Sequence, residues 1–194
     1  MLTRLLDVTF GRPHGPLGRL GGRIMARGNA EQERQATDQA GLQAGENVVV
    51  VGHGPGIGLE LAAKAVSPTG HVIGIDPSPA MRDMAAARCA TEIKSGVVEL
   101  RGRTADQTGC ADNSMDAAIS VNNVMLWNRS AGFAELRRVL RPGGRLVITA
   151  HRHVLPVTAA QLSAEAAAAG FTDLTIRERE RRFNSPAVEL TGRA

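Results

Sequence analysis

A chain of 194 residues with 43% apolar content is the size and composition of one folded domain. Its 23 basic and 19 acidic residues leave a formal charge of +4, carried by Arg in an Ala- and Gly-rich composition, which is weak evidence for a nucleic-acid partner. Two cysteines, Cys89 and Cys110, argue against a disulfide scaffold or a cysteine-rich metal centre, and no metal is expected. With 3% aromatic residues, any pocket should be aliphatic rather than an aromatic cage.

Residues 1–28 are rich in Gly and Arg and predict a mobile arm with one short helix near Leu17–Ala26. Asn29 reads as the N-cap of a helix over Ala30–Ala40, ended by Gly41. That helix is polar, with only Ala30, Ala36 and Ala40 as apolar positions, so it should be poorly anchored or packed against something unusual. From Glu46 the pattern changes. Asn47–Val51 is an apolar strand suited to burial on both faces, Gly58–Val66 a helix and His71–Ile75 a strand. Ser78 caps a helix over Pro79–Ala90. Strands follow at Val97–Arg101, Asp116–Val121 and Arg145–Ala150, the last two separated by a helix over Ala131–Leu140 and a Pro142-Gly143-Gly144 turn. A final helix, Thr158–Ala169, precedes strands Leu174–Arg181 and Val188–Gly192 joined at Asn184-Ser185-Pro186. Alternation of this kind predicts an α/β, Rossmann-like, doubly wound and mostly parallel seven-stranded sheet, with helices on both faces and an antiparallel strand from the C-terminal hairpin.

The turn after the first strand reads Gly52-His53-Gly54-Pro55-Gly56-Ile57-Gly58. A dinucleotide fingerprint needs glycines at the first, third and sixth places, and neither frame supplies them. Glycines on every second place instead allow a chain to pass close under a ligand without a diphosphate to cradle. Asp76 ends the second strand roughly 20 residues on, where a carboxylate can accept from both hydroxyls of a ribose. Then comes "LRRVLRPGGRLVIT", Leu136–Thr149.

In that order these motifs resemble the class I S-adenosylmethionine-dependent methyltransferases, from about Glu46 to the C-terminus. The stretch "FGRPHGPLGRLGGRIMARGNA" is also similar to the N-terminal cap of small bacterial members. The resemblance implies S-adenosyl-L-methionine as cofactor and S-adenosyl-L-homocysteine as product. It places Gly52, His53, Gly54, Pro55 and Gly56 along the methionine part. Asp76 falls at the ribose, Pro77, Ser78 and Met81 along the adenosine, and Thr104 and Ala105 at the adenine edge. Asn122 falls beside the sulfonium. Met25, Asn29, Asn123 and Trp127 would line the acceptor pocket. Val50 stands where the family usually has an acid, and Thr104 where it commonly has Asp.

The cofactor carries its own leaving group, so the protein chiefly aligns a nucleophile. His53, His151 and Asn122 are the candidate catalytic residues, with His14 and His153 as further possible bases. The acceptor is expected to be a small molecule, since the motifs of DNA amino-methyltransferases and the cysteines needed for cytosine-C5 or arsenite chemistry are missing. Two alternatives stay open: the same fold binding cofactor without efficient transfer, and an Arg-rich nucleic-acid-binding or regulatory protein on a decayed scaffold. We expect a cap and first helix over 1–45 and a cofactor-binding domain over 46–194, in a monomer or homodimer. No apolar run reaches the roughly 18 residues of a membrane span. The N-terminus does not read as a secretory signal, so a cytoplasmic location is expected.

Overall fold

The structure, a computed structural model, describes residues 29–181 and 184–194. The arm, the Leu17–Ala26 helix, His14 and Met25 lie outside the described residues. The first described element is helix α1, residues 29–40. There follow β1 (Asn47–Val51), α2 (Ile57–Val66), β2 (His71–Ile75), α3 (Pro79–Arg88), α4 (Ala90–Lys94), β3 (Val98–Arg101) and β4 (Met115–Val121). Next come α5 (Arg129–Val139), β5 (Leu140–His151), α6 (Ala159–Ala168), β6 (Thr172–Arg181) and β7 (Asn184–Arg193).

The seven strands form one sheet in the order β3-β2-β1-β4-β5-β7-β6. Pairing is parallel from β3 through β5. β7 inserts antiparallel between β5 and β6. Chain order reverses between β1 and β4, and in open α/β sheets a crevice opens there, outside the carboxyl ends of the strands.

Side chains alternate across the sheet, so the valines of β1 feed two cores. Val49 and Val51 pack with Phe133, Leu136, Leu162 and Ala166 under α5 and α6. Val48 and Val50 pack with Leu59, Ala62, Ala85 and with Ala36 and Ala40 of α1. The polar first helix is therefore anchored. Its buried stripe is Gln32, Glu33, Ala36, Thr37 and Ala40, a helical spacing in which polar groups take places usually held by leucine.

Local differences from the sequence reading have physical causes. The helix expected over Pro79–Ala90 stops at Arg88, because Cys89 leaves helical geometry at φ −99° and ψ 28° before α4 begins. Pro142-Gly143-Gly144 is not a turn ahead of the fifth strand but lies within β5. The register slips between Met115 and Ala117, leaving these residues as a bulge tied to the C-terminus by Gly143 N–H to the Ala194 carbonyl at 2.8 Å. Asn184, Ser185 and Pro186 belong to β7 rather than to a turn.

Candidate functional site

The glycine turn runs from the end of β1 into α2. Gly52, Gly54 and Gly56 all have positive φ, at 64°, 51° and 89°. A Cβ on Gly52 would fall on the carboxamide of Asn123, and one on Gly56 would stand 2.9 Å from Ala85 Cα. Gly54 has nothing within 4 Å of its Cβ position. Two glycines thus let α3 and the β4 loop close in, and the third leaves its face open. Pro55 is buried in the turn, its carbonyl accepting from Arg88 Nε at 3.1 Å.

Asp76 joins that turn to the end of β2. Its Oδ2 accepts from Gly54 N–H at 3.0 Å and its Oδ1 from Ser78 N–H at 2.9 Å. Each oxygen keeps further accepting capacity. Ser78 caps α3 and Met81 is buried behind it, while Pro77 is exposed. Arg82 Nη1 donates to the Asp76 carbonyl at 2.8 Å, and its guanidinium lies over Gly102, beyond the end of β3. In the next turn Thr104 is exposed, whereas Ala105 is buried against Gly132. Of that pair only Thr104 is open to a ligand.

At the end of β4, Asn122 adopts φ 55°, a left-handed conformation that Asn tolerates and that concentrates at functional positions. Its side chain accepts from His151 N–H at 2.9 Å and donates to Gln32 Oε1 at 2.9 Å. Gln32 donates in turn to Thr149 Oγ1 at 2.7 Å. Arg181 Nη1 reaches both Gln32 Oε1 at 3.1 Å and His151 Nδ1 at 3.0 Å. A guanidinium has only donors, so Nδ1 is the accepting nitrogen. The ring proton sits on Nε2, which donates to Asn29 Oδ1 at 3.3 Å. Burial first, then Arg181, then His153 lower the His151 pKa, favouring the neutral ring.

Two expectations are corrected. His53 is 2% exposed, with its ring packed against Gly74 beside Leu59. Its Nδ1–H donates to the Gly54 carbonyl at 2.8 Å, leaving a buried Nε2 without a partner among the described residues. An imidazole sealed under the turn is out of reach of an acceptor. Asn123 does not face an acceptor pocket either. Its Nδ2 donates to the Val51 and Val121 carbonyls at 2.7 and 3.1 Å. Its Oδ1 takes Trp127 Nε1–H at 2.7 Å and Ser120 Oγ–H at 3.1 Å. Trp127 is thereby turned onto Phe133, edge to face. Sequence reasoning missed Gln32, Thr149 and Arg181. Only the spacing of polar residues along α1 signalled the first of them.

Residues 49–148 match the model of the family described as "Methyltransferase domain". The chain is 31% identical over 166 residues to the uncharacterized methyltransferase YdaC of Bacillus subtilis, covering 81% of this chain and 89% of that one. The chain belongs to the S-adenosylmethionine-dependent methyltransferases. Its fold is similar to that of a SAM-dependent methyltransferase from Aquifex aeolicus, with TM-score 0.69 and 20% identity over 83% of this chain and 88% of that one. It also matches an arsenite methyltransferase of Halobacterium salinarum at 38% identity over 111 residues, 57% of this chain, but spans only 28% of that protein's length.

The cofactor of this methyltransferase is S-adenosylmethionine, and the donor set suits it. The open face over Gly54 admits a ligand close to the backbone, and Asp76 offers two anionic oxygens to hydroxyls. Among the described residues no group of side chains could hold a metal, and no helix is long and apolar enough to cross a membrane.

Proposed function

We propose that this methyltransferase acts on a small molecule bearing an acidic or anionic group, bound over the carboxyl ends of β4, β5 and β6. The observation that carries the reading is Arg181. It is half-buried beside Gln32 and His151 and has no carboxylate partner among the described residues. A cation so placed favours an anion beside it.

In this reading Asp76 and the glycine turn hold the cofactor, whose sulfonium supplies the methyl group when bound. Asn122, fixed by Gln32 and His151, marks where the acceptor meets it. Rate comes mainly from alignment and exclusion of water. His151 acts as a positioning residue, because its accepting nitrogen is engaged by Arg181. Cys89 and Cys110 are both buried, and burial pushes the Cys89 thiol up to about 11, which speaks against thiolate chemistry on arsenite.

The test is a screen with methyl-labelled S-adenosylmethionine, comparing carboxylate- and phenol-bearing acceptors with their neutral esters and ethers. Turnover confined to the acidic set, with a raised KM in Arg181→Met, supports the reading. Equal turnover of neutral acceptors contradicts it.

A further inference from the structure

Glu33 is the one carboxyl on the buried stripe of α1, 9% exposed. No donor or cation reaches its carboxyl among the described residues. Burial alone raises its pKa to about 8. Isolated buried acids are costly, so this one calls for a partner.

Its surroundings say what kind. A Cβ placed on Gly58, in the first turn of α2, would fall on Glu33 Oε2, and Val50 Cγ1 lies 3.9 Å from the same point. The carboxyl therefore stands where β1 hands over to the glycine turn and α2. It adjoins the side chain that replaces the acid expected on β1. One residue earlier, Gln32 reaches over the sheet to Thr149 and Asn122. The helix thus has one polar side chain at the end of β4 and the next at the end of β1. These are the two banks of the crevice at the topological switch. A ligand tail lying between them would meet Glu33 with its cationic end.

S-adenosylmethionine has two cationic centres, the sulfonium and the α-ammonium. The sulfonium belongs beside the acceptor, at the Asn122 bank. We propose that Glu33 is the anionic partner of the cofactor's α-ammonium group, reaching from α1 into the place that Val50 leaves without an acid. The proposal rests on the methyltransferase reading of the site. It makes α1 part of the cofactor site rather than a cover for the acceptor alone.

The experiment measures affinities of the full chain by calorimetry for four ligands. These are S-adenosylmethionine, S-adenosylhomocysteine, deaminated S-adenosylhomocysteine (carboxylate kept, amine lost) and decarboxylated S-adenosylhomocysteine (amine kept, carboxylate lost). Each is compared between the wild type and Glu33→Gln, an isosteric change whose folding is checked by thermal melting. Losing a charge-assisted bond should weaken the three amine-bearing ligands by roughly 10- to 100-fold. The deaminated ligand should bind both proteins alike. Equal affinity of S-adenosylhomocysteine for both proteins overturns the proposal, and so does an equal loss for the deaminated ligand. A loss confined to S-adenosylmethionine assigns Glu33 to the sulfonium and overturns it as well. If the wild type binds none of the four, the cofactor site itself is wrong, an outcome separate from failure of the Glu33 assignment.

Discussion

Asn123 fills the space that a side chain on Gly52 would need, and its Nδ2 donates to the Val51 carbonyl at 2.7 Å. One carboxamide thus holds the end of β1, the start of the glycine turn and the Trp127 indole. Asn123→Ala strands the Val51 carbonyl and the indole N–H, and should cost about 2 kcal/mol. Asn123→Asp should cost at least as much, since a carboxylate accepts but cannot donate. Urea unfolding monitored by Trp127 fluorescence measures both.

Gly54 and Gly56 should respond differently to the same substitution. Gly56→Ala meets Ala85 Cα at 2.9 Å in a left-handed backbone, and should destabilise the fold by about 2–4 kcal/mol. Gly54→Ala meets nothing within 4 Å, so only the backbone term of about 1 kcal/mol remains. Its methyl group nevertheless enters the face assigned to the cofactor. A stable Gly54→Ala protein with impaired S-adenosylhomocysteine binding is expected, from paired melting and calorimetry.

The free protein should show Glu33 in its pH dependence. Its folded pKa of about 8 lies above the ordinary value of 4.5, so the folded state holds the proton more tightly than the unfolded chain. Stability from this group is complete below about pH 4.5 and is lost as pH rises toward and through 8, about 5 kcal/mol in all. The neutral Glu33→Gln should lack this component. The difference between wild-type and variant unfolding free energies, measured from pH 5 to 8.5, should widen with pH in favour of the variant.

Arg181 should be readable through His151. Removing the cation in Arg181→Met takes away the second cause of the lowered His151 pKa, burial being the first. The pKa should rise toward its ordinary value while staying below it. Imidazole NMR titration of the wild type and variant checks the direction.

Much of the fold was legible because it rests on local signals. Four consecutive valines make a buried strand, the spaced glycines a turn after it, and Ser78 before Pro79 a helix start that the structure keeps. The bulge at 141–144 was not legible, since it depends on pairing with β4 and the C-terminus. Helix α1 looked unanchored because its partners are remote: Gln32 finds Thr149 117 positions away. Asn123 was misread for a related reason. Being next to Asn122 put it near the site, but its orientation is set by a space that only a glycine 71 positions earlier can leave.

The glycine turn and Asp76 should form a working S-adenosylmethionine site despite Val50 on β1. Calorimetric titration with S-adenosylhomocysteine, using NADH as control, tests it most directly. Micromolar binding that is lost in Asp76→Ala, with no response to NADH, is the expected result. No binding up to millimolar, or binding indifferent to Asp76→Ala, would rule that site out.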